Sequence, residues 1–462
     1  MENLLLFNTQ GLPVDPAQPK GPWLPLGGAF RSTTVSSHLF SAYPVIPPGA
    51  RYAAAIRGVL DGWSAWSQRQ KAADKPDKGL LLYIHGGMIN EAESQREAQR
   101  MMDAGMAEDH YPVFLCWQAG PLTAYLDHLF FVRRGVNWPL GASVTCPFIL
   151  ATDLLRGLAD WPLSLAASLS KPLENRLFNT RARLRAAEDG RTEGVQFEHG
   201  PDLWNLRDRL KAGWDLYLPL FWPIKGLMQY LLTALGPPTW NIMRRRTELL
   251  FQNEEDSGWT DPQTSARAEA PGGGNGALPM FLRALEAEQK RRWEGGLPAQ
   301  VSLIGHSMGA IIANGILRGF PGLEFSRVVH MAAACTVREY QLGVWPYLAQ
   351  HPGARFYNVT LNENVEERED EGYGLLPRGS LLVWIDDYLG NPNDRLDRCA
   401  GRLSDFADAL WQTPANLAGQ VHLKSFPGLH AGAKRDRTQM PQTHDGFRWL
   451  RFWEEHFYKP EY

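Results

Sequence analysis

Much that would place a chain outside the ordinary globular class is scarce in this sequence. Across 462 residues there are four cysteines, Cys116, Cys146, Cys335 and Cys399. They lie far apart, so they supply neither a disulfide framework nor a CxxC metal-ligand pair. Cys116 falls in an apolar run read below as a buried strand, which suits the reduced thiols of a cytosolic protein. No excess of either charge is present: 47 Lys+Arg face 50 Asp+Glu, a formal charge of −3, which argues against a general nucleic-acid binder. No export signal is expected at the N-terminus, because Glu2 follows Met1 and the apolar run Leu4 to Phe7 is too short for a signal-peptide core. Leu216 to Ile224 and Leu227 to Leu235 are each too short to span a membrane, and Lys225, Pro219, Pro223, Pro237 and Pro238 interrupt them. With 44% hydrophobic and 21% charged residues, wholesale disorder is excluded.

What is present alternates. Residues 1–50 are proline-rich and read as extended, wrapping chain. Residues 51–118 open a layered core: a helix over Arg51 to Lys71, a strand over Leu80 to Ile84, a helix behind Asn90 and a strand over Val113 to Trp117. Asn90 with Glu93 has the spacing of a capping box, and the continuous apolar strands are of the kind covered on both faces. Residues 119–274 abandon the alternation. Two strongly apolar stretches, Trp138 to Ser170 and Trp214 to Leu235, flank an Arg-rich piece, and a Gly-rich exit follows at Pro271 to Gly276. From 275 to 462 the alternation resumes, with strands over Gln300 to Ile304, Arg327 to Ala333, Arg355 to Leu361 and Val421 to Phe426. Helices are expected over Ala310 to Leu317 and Phe447 to Phe457. Strands alternating with helices predict an α/β architecture around a mostly parallel sheet.

The sharpest chemical signal is Gly305-His306-Ser307-Met308-Gly309, a G-x-S-x-G sequence between a strand and a helix. A serine held on such a turn presents its hydroxyl at a helix N-terminus, where exposed N–H groups favour developing negative charge. A nucleophile of this kind needs oxyanion donors, and His85-Gly86-Gly87-Met88 ends an earlier strand. The N–H of Met308 with one from Gly87 or Met88 would serve. A general base is expected in a loop after the last strand. His444, in a polar turn, is the first candidate and His430 the rival, whereas His422 and His456 sit inside predicted elements. The orienting acid is expected just past Arg355 to Leu361, where Glu363 comes first; Glu366, Glu367, Asp386 and Asp387 stay open as alternatives.

Carried by Leu80 to Met88, Val113 to Trp117, Gln300 to Leu317, Arg327 to Ala333, Arg355 to Glu363 and Val421 to Phe457, the chain resembles the α/β-hydrolase superfamily in its serine esterase and lipase branch. The resemblance implies a mostly parallel central sheet with helices on both faces and residues 119–274 as a helical cap. It further implies an acyl-enzyme on Ser307 assisted by His444 and Glu363, with no metal or organic cofactor. His85-Gly86-Gly87-Met88 departs from the family's HGGG type in lacking its third glycine. The expected substrates are small-molecule esters or lipids with an apolar portion, and the expected location is cytoplasmic. The apolar stretches of the insertion read as buried cap helices, an acyl tunnel or a peripheral contact with lipid. An acyltransferase or thioesterase would use the same triad; a silent binding or scaffold relative is the reading of another class.

Overall fold

The structure, a computed structural model, describes residues 3–17, 43–189, 223–252, 276–369, 377, 379–426, 438–454 and 457. In chain order, β1 is Leu4–Phe7, α1 Ala50–Ala72, β2 Leu80–Ile84, α2 Glu91–Asp103, β3 Tyr111–Trp117 and α3 Pro121–Phe130. A hairpin of β4 (Val132–Arg133) and β5 (Val136–Asn137) leads into α4 (Pro139–Asp189), α5 (Pro223–Leu249) and α6 (Ala277–Glu294). There follow β6 (Val301–His306), α7 (Gly309–Gly319), β7 (Phe325–Met331), α8 (Val337–Gln350), β8 (Arg355–Leu361) and α9 (Glu363–Arg368). Helix α10 (Leu403–Trp411) and β9 (Val421–Phe426) come next, before a 3₁₀ turn at His444–Trp449.

Seven strands form a mostly parallel sheet in the order β1-β3-β2-β6-β7-β8-β9, with helices around it. Every residue of β2 is buried, as an apolar strand flanked by β3 and β6 must be. From β2 the chain winds outward to β3, then returns across β2 to β6 and continues the other way, so the winding reverses between β2 and β6. One correction concerns the N-terminus. Leu4 to Phe7 is a strand, pairing parallel with Phe114 to Trp117, because four consecutive apolar residues complete the sheet edge.

By internal packing the chain divides into two units. The first comprises Met1–Pro147, Asn241–Val329 and Leu342–Phe356. Here α2 starts on the expected capping box: the Asn90 side chain accepts from the N–H of Glu93 at 2.9 Å, and Glu93 accepts from the N–H of Asn90 at 3.1 Å. Helices α1 and α2 pack on β3, α1 also meets α6, and α7 lies on β6 and β2. The fully buried Arg292 guanidinium lies 3.9 Å from the centre of the Trp63 ring and donates to Ser67 and the carbonyl of Pro298. Its charge is met by an aromatic face and hydrogen bonds rather than left bare.

The second unit comprises Phe148–Trp240, His330–Gln341 and Tyr357–Tyr462. Within it α4 packs on α5: a Cβ on Gly157 would stand 2.3 Å from that of Ala234, and the Tyr230 hydroxyl donates to the carbonyl of Leu154 at 2.9 Å. Helix α5 runs through Pro237 and Pro238. Proline at 238 cannot donate to the carbonyl of Ala234, and Nη2 of Arg156 donates to it instead at 3.3 Å. Among the described residues of 447–457 the expected helix does not form. A 3₁₀ turn, His444–Trp449, is followed by an extended Leu450. Thr443 caps this turn by accepting from the N–H of Gly446, and Phe447 and Phe452 are buried without sharing one helical stripe.

Candidate active site

In the first unit, β6 ends at His306 and α7 begins at Gly309, so Ser307 and Met308 make the whole turn. Ser307 has φ +50°, a left-handed conformation that a residue with a Cβ adopts only at a cost. The tight packing around it leaves the turn little alternative. A Cβ on Gly309 would stand 2.3 Å from the carbonyl oxygen of Ile84, and one on Gly305 2.8 Å from the backbone of Ala310.

Register brings the glycine motif alongside. Ile84 pairs with Gly305, so His85, Gly86 and Gly87 run on beside His306, Ser307 and Met308. A Cβ on Gly86 would meet that of Ser307 at 3.0 Å, and one on Gly87 would meet Sδ of Met308 at 2.5 Å. The two sequence signals, more than 200 residues apart, are therefore neighbours at the C-terminal ends of β2 and β6. This is where the winding reverses and where open α/β sheets hold their ligands.

The donors sort themselves. The N–H of Met88 donates to the carbonyl of Ala119 at 3.1 Å, so Met88 is corrected as an oxyanion donor. Met88 itself is left-handed, with φ +68°. His85 is structural: Nε2 accepts from the N–H of Trp117 at 2.9 Å, Nδ1 faces the carbonyl of Gly86, and the ring stacks on that of Trp117.

In the second unit, His444 opens the 3₁₀ turn and is buried. Burial, with Arg448 adding to it, lowers its imidazole to about 4, so the ring is neutral at neutral pH. Its backbone N–H donates to both oxygens of Glu369, at 2.8 and 3.1 Å. Nothing in the sequence pattern marked Glu369 out from its acidic neighbours.

Glu363 stands elsewhere in this unit. One oxygen is paired with Nη2 of Arg402 and the other accepts from the N–H of Ser404 at 3.3 Å. Burial alone would raise this carboxyl; Arg402 and Ser404 more than reverse that and hold it below the usual range. Asp386 shares the same guanidinium, Nη1 of Arg402, at 3.2 Å. Glu366 hydrogen-bonds with the Ser380 hydroxyl, and burial pushes its carboxyl up to about 8, so it is protonated at neutral pH. Glu367 and Asp387 are half-buried. His422 lies in β9 stacked on Tyr357, while His430 and His456 lie outside the described residues.

Ser307, Gly86, Gly87 and Met308 thus come together in one unit, and Glu369 with His444, like Glu363 and Asp386 with Arg402, in the other. Among the described residues no three His, Cys, Asp or Glu side chains are grouped to hold a metal ion. A surface cleft of about 580 Å³ in the first unit is lined by Trp293, Leu297, Gln300, Phe325 and His351. Gln300 and Phe325 place it at the N-terminal ends of β6 and β7, the far end of β6 from Ser307. No protein-family model, curated protein or solved structure matches this chain.

Proposed function

We propose that the protein is a serine hydrolase of α/β-hydrolase type, cleaving carboxylic esters with an apolar portion through an acyl-enzyme on Ser307. The observation that carries the reading is the left-handed Ser307 at the winding reversal, with the Gly86-Gly87 turn packed against it. Strain of this kind persists where packing enforces it, and it gathers at reacting residues.

In this reading His444 removes the proton from Ser307 Oγ as the new Oγ–carbon bond forms. The carbonyl electron pair moves onto oxygen, where the N–H groups of Gly87 and Met308 receive it. Such donors contribute about 2.7–4 kcal/mol each in the transition state. The intermediate collapses, the alcohol leaves with the proton from His444, and water repeats the cycle on the acyl group. The neutral imidazole supports the base assignment. We assign the positioning of His444 to Glu369, because Arg402 and Ser404 occupy Glu363. Residues 119–274 are read as the cap of this enzyme.

A fluorophosphonate probe followed by peptide mapping tests the assignment. Wild type should be labelled on Ser307, and Ser307→Ala should neither label nor hydrolyse model esters while its circular dichroism is unchanged. A folded wild type that resists the probe, or is labelled on another serine, removes the proposal.

A further inference from the structure

The exterior of the first half of α4 departs from the usual pattern of a helix on a water-soluble protein. Pro139–Ser164 is a 26-residue stretch whose most apolar 18-residue window has a mean hydropathy of 1.2, and only 17% of that window is buried. Leu140, Val144, Phe148, Leu155, Leu158 and Leu163 recur every three to seven residues along it and are all well exposed, Phe148 to 75% and Leu155 to 68%. Among its exposed positions Arg156 alone is charged, and that guanidinium is used on the carbonyl of Ala234. The buried side holds Asp153 and Gly157. An ordinary amphipathic helix turns its apolar stripe inward; this one leaves its large apolar side chains in the open, with Arg156 exposed and Asp160 half-buried among them. A stripe of large apolar side chains well beyond a scattered few marks an interaction surface.

Two features identify what covers it. The first is length: at 1.5 Å per residue, 26 residues extend about 39 Å, enough to lie along or through a hydrocarbon layer roughly 30 Å thick. The second is the ornament at its N-terminal end. The β4–β5 hairpin turns on Arg134 (φ +52°) and Gly135 (φ +80°), which leaves Arg134 exposed at the tip, and Trp138, 60% exposed, follows at the start of the helix. Arg133 ties this end down by donating to the carbonyls of Leu129 and Ala142, each at 2.7 Å. An indole and a cation at the mouth of an apolar helix match the boundary between acyl chains and anionic headgroups.

We propose that the exposed face of α4 beds into the hydrocarbon of a lipid bilayer, with Trp138 and Arg134 at its headgroup level. The proposal is independent of the chemistry at Ser307, since it concerns where the protein sits rather than what it cleaves.

Flotation of the full chain with phosphatidylcholine vesicles, with and without phosphatidylglycerol, tests it. Wild type should float with both, more strongly with the anionic ones. Phe148→Glu with Leu155→Glu should cut partitioning at least about tenfold, since two large side chains are withdrawn from hydrocarbon. Arg134→Glu should remove only the preference for anionic vesicles. Phe148→Ser, a milder change, should weaken flotation in the same direction should the double variant not fold by circular dichroism. Wild type remaining with the soluble fraction overturns the proposal, as does a folded double variant floating like wild type. A wild-type dimer in light scattering that the double variant dissolves, with no flotation, assigns the face to a second copy instead. Ser307→Ala should float as wild type does, so a failed esterase assay leaves this result standing.

Discussion

Replacing Ser307 separately by alanine and by glycine sets catalysis and strain against each other. Alanine keeps a Cβ at φ +50°; glycine does not. Holding an L-residue in the left-handed region costs about 1–2 kcal/mol, and glycine removes that cost. Against it, glycine enlarges the freedom of the unfolded chain and so destabilises by roughly 0.4–1 kcal/mol. The difference leaves Ser307→Gly more stable than Ser307→Ala by about 1 kcal/mol. For a unit of 150–250 residues this raises the midpoint by about 2–4 °C. Urea and thermal unfolding of the two variants read the sign directly, and both should be inactive on esters. Ser307→Gly proving the less stable of the two would show that the turn is relaxed, and the enforced-nucleophile reasoning would go with it.

Other expectations follow from the same geometry. Gly309→Ala drives a Cβ into the Ile84 carbonyl and should destabilise far more than Gly87→Ala, whose Cβ meets the flexible end of Met308; denaturant midpoints compare them. Arg402→Met leaves Glu363 and Asp386 buried beside each other without their cation and should cost about 3–5 kcal/mol at neutral pH. Because Arg402 holds the Glu363 carboxyl low, that stabilisation is present above the unfolded carboxyl range and lost as pH falls through the folded value. The deficit of the variant should therefore shrink in acid, and a pH-independent deficit would refute the pairing. With His444 as base, kcat/KM on a soluble ester should fall as pH drops through about 4, where the ring protonates, and an acid limb between 6 and 7 on the pH axis, roughly the unperturbed histidine value, would count against it. Glu369→Gln should lower kcat by about tenfold with KM little changed and move that acid limb; a loss of stability with an unmoved profile would mean a structural role only.

The local patterns legible in the sequence were those that depend on neighbours in the chain. Leu80 to Ile84 and Val113 to Trp117 read as buried strands because both faces are apolar, and Asn90 with Glu93 read as a cap because that bond closes within one turn. The strand–serine–helix context of Ser307 was equally local. What needed the folded chain was every question of partner choice. Which glycine lies against Ser307 follows from the β2–β6 register, and the loss of Met88 as a donor follows from a carbonyl at Ala119 that no spacing rule points to. The acidic run after β8 offers several chemically equal carboxylates. Only burial beside Arg402, Ser380 or the main chain of His444 tells Glu363, Glu366 and Glu369 apart, because a carboxylate is distinguished by its surroundings. The outward apolar face of α4 is likewise invisible in composition: hydrophobicity says that a helix seeks cover, and only packing decides which side α5 has already covered.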